Sequence, residues 1–231
     1  MEQCVAVQKA VWGWEDLELL PLRLFVVARK IEGQVIGAFE PSGKMAGFCL
    51  AVPALQGSTV YLHSHMLAVL PEYRERRIGQ RLKWEQRRNA LARGIGLIEW
   101  TFDPLEIKNA YFNLERLGAI ARRYVENQYG ISSSPLHRGL PTDRLIAEWW
   151  LESPRVAAQA KGEAGPSYEI LHRIAVPLDV VKKGVGGKSL AEFQLDLRRQ
   201  FQEAFGMGFV AVGFELSETT GSYLLGRNDL I

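Results

Sequence analysis

Cysteine, long apolar runs and an excess of one charge are all scarce in this chain, and each scarcity excludes a class of protein. The 231 residues include two cysteines, Cys4 and Cys49, whose separation matches no metal-binding spacing. We therefore expect no disulfide framework. Cys49 lies inside the apolar run GFCLAV, where free cysteine behaves as a small hydrophobe, so we expect a buried thiol there.

Membrane and export signals are also missing from the sequence. No uninterrupted apolar run reaches the ~18 residues that a membrane span requires. The first residues contain no basic segment followed by an apolar one, as a secretory signal would. We therefore expect a cytoplasmic protein that does not contact a membrane.

Charge is nearly balanced, with 28 Lys and Arg against 26 Asp and Glu and a net charge of +2. This balance argues against a protein coated in nucleic acid. The hydrophobic share of 47% and the charged share of 23% are typical of a globular protein. Any anion-binding site must therefore come from a local cluster of basic residues.

Apolar periodicity and turn residues divide the chain into alternating helices and strands. A helix over EDLELLPLRLFVVARK, with an apolar face of Leu17, Leu20, Leu24 and Val27, precedes a hairpin of QVIGAFE and MAGFCLAVPAL. Pro21 could split this helix in two. The next elements are strand TVYLHSHMLAVL, helix 77–93, strand LIEWTFD, helix IKNAYFNLERLG, the strand-like or irregular AIARRYVENQYG, loop 130–143 and strand RLIAEWWL. The strands on either side of helix 77–93 should form a parallel crossover.

The last third of the chain reads as a separate unit. Residues 153–167 are small and polar and are the best linker candidate. A strand, a helix with an apolar face of Leu195, Phe201 and Phe205, and two further strands follow. The sequence therefore predicts a mixed α/β sheet flanked by helices. We place one domain at 1–152 and a β-α-β-β extension at 165–231, which packs on the same sheet or extends it.

Several aromatic and basic residues allow more than one structural interpretation. Trp149 and Trp150 in EWWL could line a substrate cleft, but we favour a packed strand. Arg198 and Arg199 in the last helix are interpreted as surface or interface charge. The role of the extension, which could cover an acceptor site or form a homodimer, stays open.

The stretch EYRERRIGQRL, residues 72–82, is the strongest local cluster of basic charge and connects a strand to a helix. The first amide groups of a helix have no partners inside it, and the helix dipole attracts anions to them. Gly79 would let a ligand approach the backbone, and Arg74, Arg76 and Arg77 carry donors suited to phosphate oxygens. The nucleotide P-loop and the G-x-G-x-x-G fingerprint are both absent. We therefore predict a phosphate site of another kind, although arginines on a solvated helix face are the simpler alternative.

The segment AVLPEYRERRIGQRLKWE resembles the acetyl-coenzyme A motif of the GNAT superfamily of N-acetyltransferases. That motif is Gln or Arg, two residues, Gly, one residue, then Gly or Ala, between the fourth strand and the next helix. Arg74 takes its first position and Gly79 its last, whereas Arg77 replaces the middle glycine. NAYFNLERLG, residues 109–118, is similar to a later helix of the family. The resemblance covers about residues 1–152.

The resemblance implies a splayed sheet that binds acetyl-coenzyme A as cosubstrate and needs no metal. An amine of a small molecule or a peptide would attack the thioester directly. In this sequence the backbone of Leu67, Ala68 and Val69 would bind the pantetheine arm, and Asn109 and Phe112 would flank its far end. The diphosphate would be held by the segment from Arg74 to Gln80, namely Arg74, Arg76, Arg77, Ile78, Gly79 and Gln80.

A base is needed because the attacking amine must be neutral. His63 and His65 share a face of their strand, and an unperturbed histidine titrates near pH 6.5. They could instead be hydrogen-bonded sheet residues or a metal pair, for which no third ligand is evident. Asp103 and Glu99 are further base candidates, although Glu99 could face solvent.

The acid that would protonate the leaving thiolate is not found at the position that the family uses. The family often uses a tyrosine four residues before the helix-ending glycine, and this chain has Leu114 there, with Tyr111 about one turn earlier. A non-catalytic acyl-coenzyme A binding or sensing protein is therefore the alternative to an N-acetyltransferase. A third reading, an RNA-binding module, lacks the interleaved aromatics that single-strand binding uses.

Overall fold

The structure is a computed structural model that describes residues 1–131, 139–180 and 189–227. The described residues form two compact units. The first is Met1–Trp100, and the second comprises 101–131, 140–180 and 189–227. The part of loop 130–143 from 132 to 138 lies outside the described residues.

The first unit begins with two helices and continues with a sheet. Its elements are α1 (Glu2–Trp12), α2 (Leu22–Lys30), β1 (Gln34–Phe39), β2 (Met45–Gln56), β3 (Thr59–Val69), α3 (Ile78–Leu91) and β4 (Leu97–Phe102), whose last two residues belong to the second unit. Its strand order is β1-β2-β3-β4. β1 and β2 form the predicted hairpin, and β3 pairs with β4 in parallel across α3, as predicted.

The predicted helix over residues 15–30 is wrong in its first half. α2 begins at Leu22, directly after Pro21, because proline fits the start of a helix and removes a donor from its interior. The predicted apolar face is also wrong, since Leu17 is 97% exposed and Leu24 and Val27 are exposed. Phe25 and Ala28 are the residues that α2 buries.

The core of the first unit lies between its helices and its sheet. Cys4, Phe25, Phe48, Leu50 and Met66 are buried together there. Both cysteines are buried free thiols, as predicted for Cys49, and burial raises the pKa of Cys49 to about 12. These thiols are packing residues at neutral pH, because a reactive cysteine needs its thiolate form.

The second unit continues the alternation of helices and strands. Its elements are α4 (Ile107–Tyr111), a π-helical turn (Phe112–Arg116), β5 (Ile120–Val125), β6 (Arg144–Trp150), α5 (Pro154–Lys161), β7 (His172–Pro177), α6 (Leu190–Gly206), β8 (Phe209–Leu216) and β9 (Thr220–Arg227). Its strand order is β6-β5-β8-β9-β7. The mixed α/β class and the β-α-β-β order of the C-terminal part are confirmed.

Two expectations about the second unit need correction. The linker candidate is helical over Pro154–Lys161, with Ser153 capping α5 and Val156 buried. Leu195 is 55% exposed and does not belong to the apolar face of α6, whereas Phe201 is buried as predicted and is joined by Phe193 and Leu197. In both cases the packing partner, which sequence spacing does not reveal, selects the buried side.

The aromatic and basic residues that carried two readings are placed as follows. Trp149 is fully buried and donates from Nε1 to the Leu117 carbonyl oxygen at 2.7 Å, so it is a core residue. Arg198 is not simple surface charge. Its guanidinium contacts the fully buried carboxylate of Asp143 at 2.9 and 3.0 Å and also binds Glu126.

Candidate active site

The turn between β3 and α3 leaves backbone donors without acceptors. A 3-10 turn over Pro71–Tyr73 follows β3, and α3 begins at Ile78 with no side-chain cap. The first helical amide that finds a carbonyl is that of Arg81, which donates to Arg77 O at 3.0 Å. The N–H groups of Ile78, Gly79 and Gln80 therefore stay available to a ligand, at the positive end of the helix dipole.

Gly79 is not required by the packing of the protein itself. A Cβ at this position would meet Val69 Cγ2 at 3.7 Å and Leu67 Cδ2 at 3.8 Å, which are ordinary contacts. Its φ lies outside the left-handed region. The space above this backbone is therefore open to a ligand rather than filled by the fold.

Arg77 has a left-handed backbone, with φ 57° and ψ 18°. Glycine adopts this conformation without strain, which explains why a glycine suits the middle position of the motif. The Arg77 side chain is exposed. Arg74 donates from Nε to Val69 O at 3.3 Å, and the Arg76 guanidinium lies over the Tyr73 ring at 5.4 Å. All three arginines thus lie in the segment that leads into the free amides, and two of them contact Val69 and Tyr73 just before it.

β3 has an unpaired edge next to this turn. Its register with β4 contains the pairs Leu62 with Ile98 and His63 with Glu99, and no pair beyond them among the described residues. Leu67, Ala68 and Val69 are paired with β2 on their other side. The two parallel strands therefore separate, and the backbone of β3 from residue 64 onward is open on the β4 side.

His63 and His65 lie side by side on β3, with ring centroids 6.0 Å apart. The register with β2 skips His65, since Leu50 faces Met66 and Ala51 faces Ser64, so His65 forms a β-bulge. Bulges re-aim side chains, and they are frequent next to active sites. The pair is therefore presented on one face of β3 close to its open edge.

The expectation that these histidines titrate near pH 6.5 needs correction. Burial, the neighbouring His65 and Lys83 together lower the pKa of His63 to about 4. Desolvation also lowers the pKa of His65, although its side chain keeps an exposed surface. Both imidazoles are consequently neutral at pH 7, the state in which a histidine can accept a proton.

Glu99 does not face solvent, contrary to the alternative that its sequence position left open. It is 5% exposed and lies opposite His63 in the parallel register. Register partners point to the same face of a sheet, so the carboxylate joins the histidine face.

Lys83 is a buried cation that sequence reasoning missed. Its Nζ donates to Ser64 Oγ at 3.1 Å and to Gln86 Oε1 at 2.6 Å, and it lies 3.7 Å from the centre of the Trp100 ring. Burial lowers the pKa of Lys83 to about 7. The sequence did contain a sign of this burial. Lys83 is next to Leu82 on the buried side of α3, where the helical pattern predicts an apolar residue.

The remaining predicted site residues lie in the second unit. Asp103 accepts from Leu105 N at 2.8 Å and lies 3.9 Å from Arg144 Nη1, contacts that favour a turn-forming role. Asn109 is exposed on α4, and Phe112 begins the π-helical turn. The Tyr111 ring is half-buried beneath the Arg116 guanidinium at 5.3 Å. Their roles stay predictions.

Leu114, at the position of the family's tyrosine, is fully buried within the π-helical turn. An aliphatic side chain cannot donate a proton, so the structure offers no acid at this position. Among the described residues, no group of three His, Cys, Asp or Glu side chains is arranged to hold a metal ion. In the same residues, no helix is long and apolar enough to cross a membrane.

Comparison with known proteins shows the fold. No protein-family model matches the sequence, and no curated protein matches it significantly. Chaetomium thermophilum Naa20, solved with a bisubstrate analogue, is similar over 63% of this chain and 79% of its own, with 17% identity and a TM-score of 0.51. A Desulfovibrio desulfuricans protein assigned to the GNAT family matches over 64% and 89%, with 16% identity and a TM-score of 0.51. The ribosomal-protein-S18-alanine N-acetyltransferase of Escherichia coli matches over 64% and 84%, with 15% identity and a TM-score of 0.50.

The chain therefore has the GNAT fold, and the predicted resemblance is confirmed at that level. The TM-scores show a shared fold. Identities of 15–17% do not show a shared activity, which must be argued from the site itself.

Proposed function

We propose that this protein is an N-acetyltransferase that transfers the acetyl group of acetyl-coenzyme A to a primary amine. The observation that carries the proposal is the uncapped start of α3, where the amides of Ile78, Gly79 and Gln80 are free. Diphosphates bind at such helix starts. The Naa20 structure, which has the same fold, holds a bisubstrate analogue. That finding supports an acyl donor and an amine acceptor here.

The residues present fit an extended thioester coenzyme. The free amides of α3 and the exposed Arg74, Arg76 and Arg77 would hold its diphosphate. The open edge of β3 at Leu67, Ala68 and Val69 would bind its peptide-like arm as an added strand. The coenzyme supplies an acetyl thioester, whose C–S bond breaks as the amine nitrogen forms the new C–N bond.

The face of β3 would receive the proton that the amine must lose. His63, with its pKa of about 4, stays neutral at pH 7 but is a weak base. His65 is the better acceptor because part of its side chain reaches solvent, from which the amine arrives. The buried Glu99, opposite His63 in the parallel register, stays a further candidate for the base.

One observation favours a second candidate, a protein that binds acyl-coenzyme A without turning it over. Leu114 cannot protonate the leaving thiolate, as described above. A thiolate is a fair leaving group without an acid and can take up a proton from water after it leaves, so we retain the enzyme as the first candidate.

Calorimetric titration with acetyl-coenzyme A, followed by measurement of thiol release over a panel of amines, separates the two candidates. The enzyme binds the coenzyme and releases thiol in the presence of at least one amine. Binding without amine-dependent release would support the second candidate. The absence of binding would overturn both.

A further inference from the structure

The second unit contains a cavity that the proposed acyl transfer does not use. Its volume is about 260 Å³, just under the ~300–1,000 Å³ that is typical of small-molecule pockets. Ile170, Val212 and Leu224 supply apolar walls, whereas Arg155 and Glu115 supply charges of opposite sign. A ligand of this cavity must therefore be small, partly apolar and polar at one end.

Arg155 is a buried cation at the wall of this cavity, and one of its donors has no acceptor in the part of the chain that the structure describes. Its residue surface is 9% exposed, and its guanidinium lies over the Tyr168 ring at 5.4 Å. Nη2 donates to Leu114 O at 2.5 Å, while Nε is buried and has no acceptor among the described residues. Leaving a donor of a buried charged group unsatisfied costs free energy. The guanidinium also lines the cavity, where an anionic group of a ligand would form charge-assisted hydrogen bonds with it.

Glu115 presents the complementary charge on the same cavity. Its Oε1 accepts from Phe214 N at 2.6 Å and lies 3.7 Å from Arg155 Nη2. These contacts fix the carboxylate at the cavity wall while a third of its side chain, 33%, stays exposed. A ligand cation can therefore pair with Glu115 without removing its existing hydrogen bond.

The backbone around the cavity is irregular in two places. Glu115 lies in the π-helical turn Phe112–Arg116. Val212 lies at a break in the β8–β9 register, between Ala211 and Gly213. π-turns and β-bulges are both over-represented at functional sites because they re-aim side chains. Here each one brings a lining residue to the cavity.

We propose that this cavity binds the zwitterionic head group of a free α-amino acid with an apolar side chain. Arg155 pairs with the α-carboxylate and Glu115 with the α-ammonium, and the apolar walls receive the side chain. Two opposite charges close together in a small, partly apolar pocket match the two charges that every α-amino acid carries on one carbon. The proposal does not depend on the coenzyme site, because none of the residues that line the cavity is assigned to the coenzyme.

Calorimetric titration of the full chain with L-leucine and L-phenylalanine tests the proposal. We expect binding at one site per chain for at least one of them. L-leucinamide lacks the carboxylate and 4-methylpentanoate lacks the ammonium, so each should bind at least about 10-fold more weakly than L-leucine. Absence of binding by both amino acids at millimolar concentration overturns the proposal. Equal affinity for L-leucine and 4-methylpentanoate would overturn the role of Glu115.

Two variants test whether the amino acid binds in this cavity. Glu115→Gln keeps an oxygen acceptor for Phe214 N, so we expect it to fold and to bind L-leucine about 10-fold or more weakly. Its affinity for 4-methylpentanoate should not fall, because the variant removes a negative charge next to Arg155. Gly165 lines the cavity, and a Cβ there meets no atom closer than 3.7 Å, so Gly165→Leu should fill the space and abolish binding.

Gly206→Leu is the matched control, because Gly206 has no atom within 4 Å of a Cβ and does not line the cavity. It should bind L-leucine as the unaltered chain does. Equal loss of binding in Gly206→Leu and Gly165→Leu would contradict the location.

Discussion

At the scale of single residues, Gly79 is a position where a side chain would affect ligand binding but not the packing of the protein. A Cβ at this position makes only ordinary contacts at 3.7 and 3.8 Å, so the protein tolerates a side chain there. A bound diphosphate would not tolerate a carboxylate, because negative charge would compete for the free amides of α3.

We therefore predict that Gly79→Glu abolishes binding of acetyl-coenzyme A while the thermal unfolding midpoint stays unchanged. Gly79→Ala is the control and should keep both, since alanine also occurs at this position of the motif that the chain resembles. Calorimetry and circular dichroism measure the two properties. A folded Gly79→Glu chain that binds acetyl-coenzyme A normally would refute the assignment of this turn.

His63 gives a second prediction at the residue scale, on the pH dependence of stability. Its pKa is about 4 in the folded protein against 6.5 as its ordinary value, so between these pH values the unfolded chain binds more protons. The free energy of unfolding should fall by about 2–3 kcal/mol from this residue alone as the pH drops from 7 to 4. Well above pH 6.5, His63 is neutral in both the folded and the unfolded chain, so the free energy of unfolding no longer changes with pH through this residue.

Urea unfolding of the unaltered chain and of His63→Gln at several pH values checks this prediction. The difference between the two free energies of unfolding should change with pH in that window. His172→Gln, at an exposed residue of β7, is the control. The same pH slope in His63→Gln as in the unaltered chain would show that His63 is not the buried titrating group.

At the scale of elements, α6 is attached through an ion pair as well as through its apolar face. Arg198 is 18% exposed at its side chain and contacts the fully buried carboxylate of Asp143, which directly precedes β6. Asp143 also accepts from Tyr124 Oη at 2.7 Å and Asn127 N at 3.0 Å, so this carboxylate joins three segments of the second unit.

Arg198→Leu should destabilise the protein by about 3 kcal/mol, because the remaining carboxylate would be a buried charge without its cation. The neighbouring Arg199 pairs with Asp196 at the surface and is 67% exposed. Arg199→Leu should therefore change stability by less than about 1 kcal/mol. Chemical denaturation measures the free energy of unfolding of both variants. Equal losses would mean that the buried ion pair contributes no more to stability than the surface pair does.

At the scale of the whole molecule, the second unit joins residues from both sides of the predicted linker. β5 pairs with β8 through Ala121 and Ala211, and Phe214 N donates to Glu115. Tyr223 is fully buried and donates from its hydroxyl to Pro104 O at 2.8 Å. The residues that the sequence assigned to an extension thus complete packing that begins at residue 101.

A chain that ends at Leu151 should consequently lose cooperative unfolding. The truncation removes β8 and β9 and exposes the edge of β5 and its apolar neighbours. Thermal unfolding monitored by circular dichroism, together with limited proteolysis, measures the effect. A truncated chain that unfolds cooperatively at the original midpoint would support the predicted boundary between 152 and 165 as one between independent domains.

Local patterns predicted elements well wherever a strand or helix had a clear period and clear ends. β3, α3 and β4, and the order of the C-terminal part, follow from alternation, helical spacing and glycine or proline at the ends. The buried faces of α2 and α6 were predicted less well. Leu17 and Leu195 fit an apolar spacing but are exposed, because burial depends on which neighbour covers a helix.

The sequence by itself predicted the order of helices and strands and the strand-to-helix turn that starts at Arg74, since spacing and end residues close along the chain mark both. The GNAT fold was implied by the resemblance of that turn and of the element order. Only the tertiary structure decided the electrostatics. It buried Glu99 and Lys83, partly buried His63, and brought Arg155 to the cavity wall beside Glu115. The reason is that pKa shifts and unsatisfied donors arise from the removal of water by distant segments, which no local pattern records.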